Sequence, residues 1–594
     1  VEKIIYANGT AKVLVPAGQK IAIATYGNEY ATLSFKRGNN LEFIQRLDNA
    51  QVTLGPWTDV RTVNIEAAQD PVSYDVGSAP FLESNVRMSS NPFTGEATEI
   101  STTKGTFSLL GSLANTVALL GDSITAQNYF YATPSGFSAS GNVVTVASTA
   151  HGLAVGDPIR VTTLNQADFN GDFTVATRIN ANSYTYNLPA TASTASPTGT
   201  GRVYVKKLMA ANGYFMHANA LLGGRLRLLS VEGVPGETLS QILARVPAVT
   251  ALRPKYAVVL GGTNDIRSSA NTVQQMFDTL VTIWAQLQAS GAIVYAMSVP
   301  PLGTSDTPPN GLTVNQCNSN VAALNERIKA YCATNSGLVF VDAHAAIVDN
   351  TALTGVALAA KLEDQIHPSP RGAYAIGKAL FNAMRNAVKE GNTLASSPAD
   401  TLLTFAASTN VTENPCFIQG AGGTLAGGAT GTVGEKWRVQ QFGTAAVVAS
   451  LVPRTDLADG DSLGNWQRMN VTFSANNDSA QLDSVITLGS RVAAGDQLYV
   501  ECALKLSNTP ANLKRLNASL NYTVGGVSYS TSIGYGTISN NLQLEDGSWV
   551  FRTPTVTMPG VPTAATLVVF IQAAGAAPAC NLDVGRAVVR NVVG

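Results

Sequence analysis

The chain of 594 residues carries 38 Lys and Arg against 39 Asp and Glu, a formal net charge of -1, and its charged fraction is 13%. That fraction is about half of the ~25% usual for soluble proteins, and a balanced, charge-poor chain has no electrostatic footprint for nucleic acid or an anionic membrane, which argues against both as partners. A hydrophobic fraction of 45% excludes a disordered chain, and 53 glycines among many Thr, Ser, Asn and Ala point to short strands and tight turns.

Residues 1–80 read as an all-β domain. The runs 12–15, 21–24 and 32–35 are strand-like and parted by Gly and Asn, with no helical period between them. Residues 81–114, with their Ser and Pro, read as a connector. From 115 the rhythm becomes strand, helix, strand, helix. The runs 117–120, 226–231, 256–260, 293–299 and 338–341 are short and continuously apolar, as buried parallel strands are. Val273, Met276, Phe277, Leu280, Val281, Trp284 and Leu287 repeat at helical spacing, with Gly291 placed to end the helix. Val321, Leu324, Ile328 and Tyr331 make a second stripe. Ser369 and Pro370 form an N-cap and N1 pair for a third, through Tyr374, Ile376, Leu380 and Met384. This alternation predicts an α/β/α sandwich on a parallel sheet, spanning 115–130 and 204–395.

The α/β rhythm is interrupted at 131–203. No helical period occurs there, but strand-like pieces do, at 142–146, 159–161, 173–175 and 184–186. They are punctuated by His151-Gly152, Gly156-Asp157-Pro158 and Asn170-Gly171-Asp172, so an inserted small β domain is predicted. The pattern of His-Gly-Leu, Gly-Asp, Phe-Asn-Gly and a later Tyr resembles small β modules of phage tail and baseplate proteins. Residues 400–594 return to all-β texture. Leu498, Val500, Cys502, Leu504 and Leu506 alternate with Tyr499, Glu501, Ala503 and Lys505, and 566–571 and 587–593 suit final strands. A β-sandwich is predicted.

Five cysteines, Cys317, Cys332, Cys416, Cys502 and Cys580, form no CxxC and no cluster with His, so buried free thiols are expected rather than a zinc site. One bridge among Cys416, Cys502 and Cys580 is the alternative. No charged segment followed by an apolar run stands at Val1, so these residues show no signal peptide, and no run approaches the ~18 apolar residues of a membrane span.

The chemistry concentrates at the ends of the predicted parallel strands, where open α/β sheets place their ligands. Gly121-Asp122-Ser123 follows the first strand, with Ser123 heading a helix. Glu232-Gly233-Val234-Pro235-Gly236-Glu237-Thr238 follows the second and Gly261-Gly262-Thr263-Asn264-Asp265 the third, while Asp364-Gln365-Ile366-His367-Pro368 precedes the last helix. In isolation Ser123 reads as a helix cap, because Gly-Asp-Ser is a common tripeptide. Among the four histidines, His151 lies in the inserted strands, His217 in a helical stretch and His344 after a strand without a partnered carboxylate block. Only His367 has an Asp three residues upstream. Asp122, Glu237 and Asp265 read as loop-holding groups. No metal-ligand cluster is visible, and glycine-rich 420–428 lacks the Lys-Ser/Thr of a phosphate loop.

The four blocks, in this order in one domain, resemble the pattern of the SGNH (GDSL-like) hydrolase superfamily, over roughly 115–129 and 204–390. The resemblance implies a serine ester hydrolase with no cofactor and no metal. Ser123 matches the nucleophile, His367 the general base and Asp364 the carboxylate that fixes the imidazole tautomer. The Ser123 N–H, the Gly236 N–H and the Asn264 side-chain amide match the oxyanion hole, each donor being typically worth ~3 kcal/mol of transition-state stabilisation.

The flanking β regions choose among esters. The whole arrangement resembles phage tail-spike or tail-fibre esterases that strip O-acetyl groups from bacterial surface polysaccharide, capsule or O-antigen. That resemblance implies a virion-tail location, with the N-terminal domain attaching to phage tail or baseplate proteins and the C-terminal domain binding carbohydrate or serving assembly. A secreted bacterial enzyme is the alternative location. Homotrimers are usual for tail spikes, although no heptads support one here. Two other readings remain open: a glycan-binding adhesin with little turnover, and a lipase or thioesterase. Trp437, Trp466, Trp549, Tyr522, Tyr529 and Tyr535 are candidates for stacking on sugars. Core packing is the expectation for most of them, with Tyr535, between two glycines, placed to be exposed.

Overall fold

The computed structural model describes the strands of residues 1–114 and, from 115 onward, all residues except 190–195, 269–270, 310, 353, 389–408, 419–421, 455–463, 487–490, 536–544 and 593–594; of Tyr535 and Val592 only the backbone is described. The chain divides into two compact units, Val1–Ala114 and Asn115–Gly594.

The first unit holds two sheets. One runs in the order Thr10–Val15, Arg61–Ala67, Tyr30–Arg37, Asn40–Asp48, antiparallel throughout. The other runs Lys3–Ile5, Val72–Gly77, Lys20–Thr25, Gln51–Leu54, Arg87–Ser90, Ala97–Thr102, Gly105–Ser108. Its last three strands lie within 81–114, the stretch expected to be a connector. There Ala97–Thr102 pairs antiparallel with both Arg87–Ser90 and Gly105–Ser108, so β-pairing extends beyond residue 80.

In the second unit a five-stranded parallel sheet has the order Arg227–Gly233, Thr116–Gly121, Tyr256–Leu260, Ile293–Met297, Leu338–Val341. The inner strands coincide with the apolar runs of the sequence because a parallel sheet buried on both faces favours apolar residues along the strand, whereas the edge strand Arg227–Gly233 is only partly buried. Helices cover both faces. Val273–Ala289 and Val314–Thr334 pack Trp284, Leu280 and Leu324 against Ala118, Leu120 and Val259. On the other face Tyr214–Leu221 and Pro370–Met384 meet Val117, Leu119 and Val258. Thr272 and Thr313 cap their helices with reciprocal Gln275 and Gln316 boxes, and Ser369 caps the last, with Pro370 at its first position.

The inserted residues fold around their own core of Val144, Ile159, Phe169, Tyr184 and Tyr186. They do not close off as a separate sheet. The strand Arg202–Ala210 pairs antiparallel with Tyr129–Ala132 and Pro158–Thr162, and parallel with Val527–Tyr535 of the C-terminal region. One sheet of thirteen strands therefore runs from the insert into the C-terminal strands. An exposed strand edge carries unpaired N–H and C=O groups, and this junction satisfies two such edges at once. Lys207 reinforces it: its ammonium, buried and 2.7 Å from Asp157, donates to the Gly152 carbonyl and lies over the Tyr529 ring.

The C-terminal strands form two facing sheets whose inward residues share a core, Val471, Cys502 and Leu582 on one side and Leu482, Ala518 and Val569 on the other. In Gln497–Ser507 the alternation expected of a half-exposed strand meets burial on both faces, since Tyr499, Glu501 and Ala503 are buried too. Gly224, just after the Tyr214–Leu221 helix, approaches Glu501 and Val550 there, so part of the outer face is covered by the α/β region. The five cysteines are free and buried. Trp437, Trp466, Trp549 and Tyr522 are buried and Tyr529 half-buried, while the Tyr535 side chain lies outside the described residues.

Candidate active site

The strand Thr116–Gly121 delivers Ser123 to the carboxyl edge of the parallel sheet. Gly121 is required by close approach: a Cβ there would stand 2.1 Å from the Leu260 carbonyl oxygen and 2.3 Å from Thr125 Oγ1. Asp122 caps the short helix Ser123–Ala126, its Oδ1 accepting the Ile124 N–H at 3.0 Å, so the Ser123 N–H lies in a first turn where N–H groups lack partners within the helix. Ser123 is 8% exposed.

His367 reaches this serine from 244 residues away, its Nε2 2.8 Å from Ser123 Oγ. Its Nδ1 is 2.7 Å from Asp364 Oδ2. An ionised carboxylate only accepts hydrogen bonds, so Nδ1 carries the proton, and in the neutral ring Nε2 is the acceptor for the Ser123 hydroxyl. Asp364 Oδ1 also accepts the Ile366 and His367 N–H groups, both at 2.7 Å. Burial raises the Asp364 pKa, but the bonds from the His367 ring and from these N–H groups outweigh it and hold the carboxyl well below the usual carboxylate range. The loop is braced from both sides. Glu363 N–H donates to the His367 carbonyl, and Gln365 accepts from Ser305 N–H through its side chain and from Gly303 N–H through its backbone. Ser369 donates to the Ala360 carbonyl.

The structure thus brings Ser123, Asp364 and His367 into one hydrogen-bonded row. Gly236 and Asn264 are held next to each other at the neighbouring loops. Asn264 Nδ2 donates to the carbonyl of Glu237, the residue after Gly236, at 2.9 Å, which fixes the amide and leaves it a second N–H. Gly236 has φ +81, a left-handed backbone that only glycine adopts without strain. Neither is bonded to Ser123.

Beneath these loops lies an ionic network. Arg245 pairs with Glu237 and donates to the Gly121 and Glu232 carbonyls, both at 2.9 Å. Asp265 accepts the Leu239 N–H at 2.8 Å. Arg160, from the inserted strands, forks onto Asp172, reaches Glu232 at 2.6 Å and donates to the Val231 carbonyl at 2.8 Å. Sequence reasoning missed Arg160, Glu232, Gln365 and Arg245. Glu232 and Gln365 stand inside the recognised blocks, but nothing local marks Arg160. Between Arg160, Thr163 and Asn170 on one side and Glu237 and Arg245 on the other lies a cleft of about 340 Å³. Asp122 is wholly buried, and its Oδ2 has no partner among the described residues. Burial pushes this carboxyl up to about 7, against the Ile124 N–H and the His367 ring.

The other histidines lie outside this row. His217 is buried, its Nε2 donating to the Ala211 carbonyl, and burial pushes its pKa down to about 4. His151 holds a turn between Asn180 and Leu153. The His344 N–H donates to Ser298 Oγ.

Residues 182–375 match the GDSL-like lipase/acylhydrolase family. The chain carries a GDSL-like acylhydrolase domain. The matched span leaves out Ser123 and its strand, which the inserted residues separate from the rest of the sheet. Among solved structures, a GDSL-like lipase from Bacteroides thetaiotaomicron is similar at 23% identity, with 27% of this chain and 76% of that one covered and a TM-score of 0.25. A catalytic mutant of an acetylxylan esterase from Geobacillus stearothermophilus is similar at 16% identity over 47% of this chain and 99% of that one, TM-score 0.26. The enzymatically active domain of tailspike protein 4 of bacteriophage CBA120 is similar at 11% identity over 26% of this chain and 19% of that one, TM-score 0.20. No curated protein matches the chain.

Proposed function

We propose that this GDSL-like domain is a serine esterase that removes O-acetyl groups from bacterial surface polysaccharide, capsule or O-antigen, as part of a phage tail spike or fibre. The observation that carries the chemistry is Ser123 Oγ at 2.8 Å from an imidazole whose other nitrogen is held by Asp364 at 2.7 Å. Ser123 Oγ attacks the acetyl carbonyl while His367 Nε2 takes its proton. The ester C–O bond then breaks, and the sugar hydroxyl leaves with that proton. Water, activated by the same imidazole, hydrolyses the acyl-serine and releases acetate. The Ser123 and Gly236 N–H groups and the Asn264 amide would receive the oxyanion.

A charged fraction of 13% and the β-rich surroundings support a glycan rather than a polyanion or a bilayer as substrate. The cleft beside the Gly236 loop offers room for sugar units flanking the acetylated one. On this reading the N-terminal strands attach to tail or baseplate proteins, in a homotrimer at the virion tail. The test is acetate release from a panel of acetylated capsules by the intact chain and by Ser123→Ala. Release by the intact chain alone supports the proposal. Equal release by both removes Ser123 as nucleophile, and aryl-ester hydrolysis that rises with acyl length points to a lipase instead.

A further inference from the structure

In the strand Leu513–Val524, Leu516, Ala518, Leu520 and Tyr522 turn into the sandwich core, which sends Asn517, Ser519 and Asn521 to the opposite face. The strand register places their neighbours in rows. Gln481, Phe570 and Asn517 stand across from one another in the first, and Val568, Ser519 and Ser532 in the second. Asn521 and Ser530 face each other in the third. Together they line a depression of about 220 Å³.

Its floor is withdrawn from water but not fully bonded. Asn517 is 2% exposed, and Ser519 and Ser532 are buried. Asn517 Nδ2 reaches Ser532 Oγ only at 3.4 Å, and that hydroxyl donates on to the Ala518 carbonyl, while Asn517 Oδ1 has no partner among the described residues. A buried amide oxygen left unpaired costs about 1–3 kcal/mol, so it calls for a donor from outside. The rim is aromatic. The Arg515 guanidinium lies 5.0 Å from the Phe570 ring, and Phe442, 36% exposed, lies 6.4 Å from Phe570.

Amides and hydroxyls that both donate and accept, next to an exposed ring, match a ligand with vicinal hydroxyls and one apolar C–H face. Among the described lining residues Arg515 alone is charged, too little for a phosphate backbone and suited to a neutral sugar or one bearing a carboxylate. We infer that this depression is a saccharide-binding subsite, built from other residues than the Ser123 edge, that holds one unit of a polymer; the choice of a bacterial glycan rests on the proposed function.

The experiment uses the full chain carrying Ser123→Ala, on a panel of immobilised bacterial surface polysaccharides. The expected result is binding to at least one of them, weakened about tenfold or more by Asn517→Ala, Gln481→Ala or Phe442→Ala. Phe442→Ala alters an exposed side chain and serves if Asn517→Ala fails to fold. With Ser123 intact, the same variants should leave 4-nitrophenyl acetate hydrolysis unchanged and raise KM for the polymer at constant kcat. No binding to the panel, or undiminished binding by the Phe442 and Gln481 variants, overturns the subsite. A changed oligomeric state with unchanged glycan binding also overturns it and assigns the face to a second copy of the chain. Glycan bound without acetate release sinks the esterase reading and leaves the subsite standing. Acetate release at unaltered polymer KM in the variants does the reverse.

Discussion

At the Ser123 edge the polar groups are ionic or bonded to ions: Asp364 on His367, Arg245 on Glu237, and Arg160 between Asp172 and Glu232. In the depression of the C-terminal sheet they are amides and hydroxyls, with one guanidinium at the side. The difference follows from what each place is proposed to do. Breaking an ester moves a proton and builds transient charge, so it needs charges fixed in advance. Holding a sugar needs many weak, reversible hydrogen bonds and an apolar surface.

That contrast can be broken most sharply at Ser123. Ser123→Ala should lower kcat/KM for any short ester by about 10⁴-fold or more while leaving polysaccharide binding intact. Asp364→Asn, which cannot hold Nδ1–H in the same way, should lower kcat by about 10⁴-fold. In the intact chain kcat/KM should fall on acidification, because only a neutral imidazole accepts the Ser123 proton; a flat profile with chemistry limiting would contradict the base assignment. Asn264→Ala should cost about 10²-fold or more in kcat with little change in KM, and an effect confined to KM would remove Asn264 from the oxyanion hole.

The remaining predictions concern stability. Arg160→Leu removes the 2.6 Å partner of the buried Glu232 and the fork on Asp172, which keeps Lys206, and should destabilise the fold by about 3 kcal/mol in chemical denaturation. Phe442→Ala should cost much less. Asp122 supplies a pH-dependent effect with a defined sign. Its folded carboxyl lies near 7 against 3.8 for the free group, so the folded chain holds this proton more tightly than the unfolded one. The stability this proton contributes is complete below about pH 4 and is lost as pH rises through about 7. Asp122→Asn keeps an oxygen for the Ile124 N–H, so it should flatten the pH dependence of Tm across that window and raise Tm above about pH 8. An unchanged slope would show that Asp122 does not titrate there.

Much of this was legible along the chain, and for local reasons. The inner parallel strands announce themselves because burial on both faces disfavours polar residues, as at Tyr256–Leu260, while the edge strand Arg227–Gly233 keeps Arg227, Ser230 and Glu232. The helix stripes ending in Leu287 and Met384 follow from the helical repeat, and Ser369-Pro370 marks a helix start. Asp364 and His367 are three residues apart, so one turn of loop suffices to join them. Ser123 drew attention because it follows a buried strand.

Other features needed the folded chain. The contact of Ser123 with His367 spans a sequence separation of 244 residues. Arg160 is an unmarked arginine in an inserted strand until folding sets it on Glu232, 72 residues away. The insert, the α/β region and the C-terminal strands read as separate domains, yet Arg202–Ala210, which enters the α/β region from the insert, pairs with Pro158–Thr162 on one side and Val527–Tyr535 on the other, because backbone edges match whatever their side chains are. The alternation of Leu498 to Leu506 predicts one buried face; whether the other is also covered depends on what packs against it, and here the α/β region covers part of it. By itself the sequence determined the strands, the helices and the chemical blocks, since these arise from short-range periodicity and spacing. The tertiary structure alone decided which distant edges pair, which ions meet and which polar face becomes a hollow, since those depend on surfaces that exist only once the chain has closed on itself.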